Sequence, residues 1–220
     1  MLGKQSVAAG HMAGAYMADE EFLLIEEMQH RVANEYAIAI ANLALRARAC
    51  PDASRTILAE TAARLSDFAA LHRALAPPRI ATTVDLGEYL RALCLAITRA
   101  NLAELGTSLL LYETEVALEA HRAWRVGLIV SELITNAVRH GSWKGGEGVI
   151  TVEILPEARH VRFRVSDNGG GSEEAPGGRG TAIVEALARD LGGHIRREFN
   201  KDGVTVHLTV PRGPMTDTSI

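Results

Sequence analysis

The sequence predicts an α+β fold: a two-helix hairpin followed by an α/β sandwich, a mixed sheet with helices on one face. Three observations carry this. Up to Pro77-Pro78 the chain is rich in Ala, Leu, Arg and Glu, with no glycine from Ala15 to the prolines, the composition of long helices. Beyond them glycines accumulate, and short β-branched runs alternate with helical stretches. Two successive prolines stop a helix and stiffen the connection, so the boundary belongs at residues 76–80. The expected organisation is a disordered leader over 1–18, a helical hairpin over 19–78, the sandwich over 79–213 and a tail over 214–220.

In the first helix, expected over 19–48, Ile25, Met28, Val32, Tyr36, Ala39 and Leu43 recur at spacings of three and four and form one apolar stripe. Cys50-Pro51-Asp52 is a turn. Asp52 or Ser54 suits the cap of a second helix carrying Ile57, Leu65, Phe68, Leu71 and Leu75. Two helices alone bury such stripes poorly, and pairing of two chains into a four-helix bundle is the economical remedy, so a homodimer is expected. Asp85, with Glu88 three residues on, is a capping-box pattern opening a helix to about Asn101. Residues 109–112 read as a short buried strand and 121–140 as a helix. Strands over 149–155 and 161–165 flank a turn, and a glycine-rich loop over 167–180 leads into a helix over 181–191. The chain closes with a β-hairpin, 195–199 and 204–210, around Asn200-Lys201-Asp202-Gly203.

Composition excludes several classes. The 220 residues carry 23 Lys+Arg against 27 Asp+Glu, a net charge of -4 without the basic excess of a nucleic-acid binder. Cys50 and Cys94 lack CxxC spacing, so neither a disulfide framework nor a zinc site is indicated, and a reducing cytoplasm fits best. The longest strongly apolar run, 37–45, is far short of the roughly 20 residues of a membrane helix.

Three groups of residues could carry chemistry. His30 lies about 160° around its helix from Met28 and Val32, and so points to solvent, with Glu26, Glu27 and Asn34 within about 60° of it. By itself this is an ordinary surface histidine, but an imidazole beside carboxylates is also a nucleophile near neutral pH. Glu132, Asn136 and His140, spaced four apart with Arg139 beside them, share a helix face, and Trp124, Leu128 and Ala137 are expected to pack on the sheet. That face suits a phosphate-bound Mg²⁺, with Asn136 as ligand, as well as it suits bulk water. Asp167-Asn168-Gly169-Gly170-Gly171 follows a strand, and Gly177-Gly178-Arg179-Gly180 opens a helix. The first cluster lets backbone approach a planar ligand, and the second offers N–H groups to phosphate. Neither is a Rossmann or Walker motif.

The order of these pieces is more specific than any one of them. EMQHRVAN at 27–34, LHRAL at 71–75, WRVGLIVSELITNAVRHG at 124–141 and the two glycine clusters together resemble the dimerisation and catalytic core of bacterial sensor histidine kinases, in the subgroup with an HRxxN acceptor box. The resemblance covers residues 19–212. It implies an ATP-binding sandwich of the Bergerat (GHKL) type, with ATP and Mg²⁺ as cofactors. It makes His30 the phosphoacceptor, Asn136 the Mg²⁺ ligand, and Glu132, Arg139 and His140 its neighbours. Asp167 would accept from the adenine amino group, Gly169 and Gly171 would shape that pocket, and Gly178 and Gly180 would line the phosphates. The phosphohistidine would pass its phosphoryl group to an aspartate of a response-regulator receiver domain. Arg31 stands where many sensor kinases have an acidic residue, leaving Glu26 or Glu27 to take the imidazole proton. Other departures are a lid of only residues 172–176, Thr181 in place of leucine, and fewer than twenty residues before the first helix, too few for a sensor. These suit a runner-up, an ATP-independent histidine phosphotransferase relay that kept the kinase fold.

Overall fold

In the computed structural model, residues 5–78, 83–141, 143, 146–170 and 178–213 are described, with 5–23 and Glu26 described by backbone alone. The chain divides into two compact units, the first ending at Pro77 and the second beginning at Pro78.

The first unit is a helical hairpin of α1 (Gln5–Ala49) and α2 (Asp52–Ala74). Residues 5–18, expected as a disordered leader, are helical, in keeping with the high helix propensity of their Ala and Met. At the turn, neither Asp52 nor Ser54 caps α2; Pro51 is the N-cap, with φ already at -58°, and Asp52 answers the helix dipole from the first turn. Arg55 reaches back to the end of α1, donating from Nε to the Ala47 carbonyl (3.4 Å) and from Nη2 to that of Cys50 (3.3 Å), and so serves carbonyls the helix leaves open. Between the helices the Tyr36 ring meets that of His72, centroids 5.4 Å apart. Val32, Tyr36, Ala39 and Leu43 are half-buried in the seam as expected. Met28 and Ile57 are not: with Leu24, Ile38 and Leu45 they are 62–66% exposed. On α1 these residues form a second apolar row, rotated from the seam.

The second unit opens with a short antiparallel pair the sequence did not reveal, β1 (Thr83–Asp85) with β3 (Ala117–Glu119). Asp85 caps α3 (Leu86–Ile97) as expected, its Oδ1 accepting from Gly87 N at 2.9 Å, and it also accepts from Val116 N, which ties the cap to the approach of β3. A π-helical turn (Thr98–Leu102) then leads to β2 (Thr107–Tyr112). Next come α4 (Ala120–His140), β4 (Gly148–Pro156), β5 (His160–Asp167), α5 (Arg179–Asp190), β6 (His194–Asn200) and β7 (Gly203–Pro211). The five-stranded sheet has the order β2-β4-β5-β7-β6, parallel only between β2 and β4. Leu110 and Tyr112 are exposed rather than buried, because they pair with Thr151 and Glu153 on the face of the sheet that no helix covers, so the leucine run contributes only its alternate residues to the interior.

Alternate residues of the inner strands define the core: Ile150, Val152 and Ile154 on β4, Val161, Phe163 and Val165 on β5, and Val206, Leu208 and Val210 on β7 are all buried. Their registers place Val152 opposite Val165, which in turn faces Val206, and Ile154 opposite Phe163, which faces Leu208. Helices cover this face; the other carries polar side chains, including the Glu153–Arg164 ion pair. Phe163→Ala is expected to destabilise this unit by about 3–5 kcal/mol, read as an earlier loss of strand circular dichroism in urea; an unchanged midpoint would contradict the assigned core.

Candidate functional site

The core dictates which way α4 faces. Ala123, Val126, Val130, Leu133, Ile134 and Ala137 are buried, and α4 packs against β4 and β5. At about 100° per residue the opposite arc carries Glu132, Asn136 and Arg139, with His140 at its edge. Glu132 and Asn136 are half-buried, while Arg139 and His140 are exposed in the last turn, where cations suit the helix dipole. Trp124 and Leu128 are also only half-buried and lie on the Glu132 side rather than on the sheet, because positions spaced by four drift only 40° per step and stay with Glu132. Beyond the helix, the Trp143 ring lies over Gly141 and Gly148 so closely that a Cβ on either would collide with it, fixing the start of β4.

Asp167 ends β5 in a half-buried position, and its neighbour does a different job. The Asn168 side chain faces β4, accepting from Val149 N at 2.7 Å and donating to the Glu147 carbonyl at 3.1 Å. This clamp holds the loop by its middle residue and leaves Asp167 to a separate set of partners. The Asp167 Oδ1 accepts from the buried Gly169 N at 2.9 Å. Burial pushes the Asp167 carboxyl above its ordinary value, and hydrogen bonds from the backbone of Gly169 and Val204 pull the other way. Gly171 lies outside the described residues, as do residues 172–176 of the expected lid.

Gly178 is the N-cap of α5, exposed, with open space where its Cβ would stand. Gly180, two residues on, is tightly confined: a Cβ there would run into the carboxylate of Glu132. The helix has no acidic residue in its own first turn, and Glu132 of α4 lies where such a charge would be favourable. Glu132 and Gly180, named separately from two motifs, are thus in contact.

In the first unit His30 is exposed, as are Glu27 and Asn34. Glu27 accepts from Arg31 Nε at 2.8 Å, an i,i+4 pair on the helix surface. The side chain of Glu26 lies outside the described residues.

A family model for the histidine kinase-like ATPase domain matches residues 89–210, more than half of the chain. The chain belongs to that family. A histidine kinase family model also matches residues 27–101, the stretch that holds His30. Among curated relatives, blue-light-activated histidine kinase 2 of Erythrobacter litoralis is 24% identical over 197 residues, covering 85% of this chain and 56% of the relative. The sensor histidine kinase PdtaS of Mycolicibacterium smegmatis is 28% identical over 200 residues, covering 86% and 40%. The chain thus spans about half the length of the curated relatives it matches, or less. Of solved structures, the histidine kinase domain of an Erythrobacter litoralis blue-light-activated histidine kinase aligns with a TM-score of 0.59 at 22% identity, over 81% of this chain and 96% of that one. The catalytic domain of histidine kinase ThkA aligns at 0.51 and 20% identity, over 60% and 96%. These two are likenesses of fold. They agree with the helical hairpin and one-faced sandwich expected for this sensor histidine kinase core with its GHKL-type ATPase domain.

Sequence reasoning missed Asn168, Gly203 and Val204 as supports of Asp167. The only signal available was Asp202-Gly203, which read as a hairpin turn and nothing more. Gly180→Ala is expected to destabilise the kinase-like domain by about 1–3 kcal/mol through the Glu132 collision. In a Glu132→Ala background the same change should be neutral or stabilising, because alanine is the better helix former; equal melting shifts in both backgrounds would separate the two residues.

Proposed function

We propose that the chain is an ATP-dependent protein-histidine kinase that phosphorylates itself on His30 and passes the phosphoryl group to an aspartate of a response-regulator receiver domain. The observation that carries this reading is the contact of Glu132 with Gly180, since it brings the α4 face of Asn136 together with the N-terminus of α5 in a family fold that also holds Asp167 beside Gly169. Asp167 accepts from the adenine amino group, with Gly169 and Gly171 shaping that pocket. Gly178, with open space where a Cβ would stand, leaves the α5 N-terminus open to phosphates, Gly180 lines the same turn beside Glu132, and the helix dipole and Arg139 attract the phosphate charge, with His140 beside them.

The donor set fits Mg²⁺. Among the described residues no group of three or more His, Cys, Asp or Glu could hold a metal, and Mg²⁺ characteristically takes one or two protein oxygens together with substrate phosphates, a need the half-buried Asn136 carboxamide can meet. Bound there, the ion would offset charge on the phosphoryl oxygens. The exposed His30 attacks the γ-phosphorus in line through a ring nitrogen lone pair, forming a P–N bond as the bond to the ADP oxygen breaks. Glu27 takes the imidazole proton and Asn34 orients the ring from one turn away. The Arg31 contact holds the Glu27 carboxylate on the helix surface. Glu27→Ala should slow labelling; an unchanged rate there, with slowing in Glu26→Ala, would move the base to Glu26, and two unchanged rates would remove the base assignment.

The protein acts as a homodimer in the cytoplasm. No described helix is long and apolar enough to cross a membrane. The exposed row of Leu24, Met28, Ile38 and Leu45, with Ile57 on α2, gives a second copy an apolar surface to cover. Met28→Lys combined with Ile38→Lys should shift the sedimenting species from dimer to monomer, and a dimer surviving both changes would remove this surface as the interface.

With γ-labelled ATP and Mg²⁺ the protein should acquire acid-labile label that His30→Ala abolishes and Asn136→Ala greatly reduces. Label retained in His30→Ala would overturn the acceptor assignment. No label from ATP, but label gained from a phosphorylated receiver domain, would identify the relay instead.

A further inference from the structure

The turn between β6 and β7 lies outside every motif that resembles the kinase family, yet its backbone reaches Asp167. Gly203 has φ +148°, where side chains are rarely tolerated, and a Cβ built on it would overlap the Asp167 carbonyl oxygen and stand 3.2 Å from Asn168 Cα. The backbone N–H of the next residue, Val204, acts on the Asp167 carboxylate and favours its charged form. On the far side of the loop, Gly170 meets the Lys201 carbonyl at ordinary contact distance, 3.5 Å from its built Cβ. The turn is itself braced, because Asn200 Oδ1 accepts from Asp202 N at 2.8 Å. Pairing of Ser166 with Thr205, and of Asn200 with Gly203, delivers the turn to the end of β5.

We propose that the β6–β7 turn is a wall of the nucleotide site and that Gly203 is the positioning residue for the Asp167 carboxylate. This rests on the reading of Asp167 as the adenine acceptor. The carboxylate accepts from Gly169 N in its own loop, and the turn comes against the same residue from a distant part of the chain through Gly203. The backbone contact that glycine alone permits at 203 sets where the adenine-facing oxygen stands. A methyl group at 203 must push the turn and the end of β5 apart, which moves the acceptor and leaves the residues assigned to the phosphates unchanged.

The test is steady-state autophosphorylation by the full chain, alongside binding of a fluorescent ATP analogue labelled on the ribose. Gly203→Ala should raise KM for ATP, and the Kd of the analogue, by about tenfold with kcat unchanged, the pattern of lost uniform binding. Asn200→Ala, which only loosens the turn, should do the same by about threefold. Gly192→Ala is the control: φ there is also positive, at +68°, in the left-handed region that alanine enters at modest cost, and its nearest neighbour is Pro211 at the other end of β7, so KM should not move. Wild-type protein that binds the analogue, with Gly203→Ala no weaker than Gly192→Ala, would overturn the proposal and leave the ATP reading standing. Wild-type protein that binds no analogue would overturn both.

Discussion

The second unit is organised by the one-sidedness of its sheet. A strand sends alternate side chains to opposite faces, and β4, β5 and β7 place their apolar sets on the same one. That face must be covered, and α4 covers it with a stripe of alanine, valine, leucine and isoleucine. Burying about five large aliphatic side chains, each worth roughly 1.5–3 kcal/mol, outweighs any preference of the polar face. Once the apolar stripe is seated, the direction of Glu132, Asn136 and Arg139 is no longer free. The chemistry-bearing arc of α4 is therefore fixed by what lies opposite it, which allows the polar side chains there to be chosen for function.

Close backbone approach is the second device, and it acts where charge is concentrated. At Gly180 the absence of a side chain admits the Glu132 carboxylate to the first turn of α5, and at Gly203 it admits a hairpin turn to the carbonyl of Asp167. Both contacts join residues far apart in the chain. At Gly180 a methyl group would displace a carboxylate, and at Gly203 it would displace the backbone that carries one, so both glycines bear on where charge stands. Asn168 complements them by spending its side chain on β4, which holds the loop without drawing on the carboxylate next to it.

The first unit works under a different constraint. Two helices share one seam, of which Val32, Tyr36, Ala39 and Leu43 are the α1 side, and the Tyr36–His72 ring contact fixes the register between them. A hairpin has no interior beyond that seam, so the remaining apolar row of α1 stays on the surface. His30 lies on a part of the helix that belongs to neither row. Its exposure follows from the spacing of its neighbours and does not depend on a pocket.

Much of this was legible in the sequence because it depends on local periodicity and on the chemistry of adjacent residues. The hairpin, the capping aspartate at 85, the paired strands of the sheet, the exposure of His30 and the shared face of Glu132 and Asn136 all follow from spacing and turn residues within a few positions of each other. The misreadings share a cause as well. The leucines of β2 and the position of Trp124 and Leu128 depended on which face of the sheet is covered and which arc of α4 meets it, and Met28 depended on where the hairpin seam falls. Those are decisions about partners, and a one-dimensional pattern specifies a stripe without saying what covers it. The sequence by itself determined the longer elements, the family and the residues that could carry phosphoryl chemistry. Only the tertiary structure brought Glu132 against Gly180 and the Gly203 turn against Asp167, because contacts between backbone segments tens of residues apart leave no periodic trace in the chain.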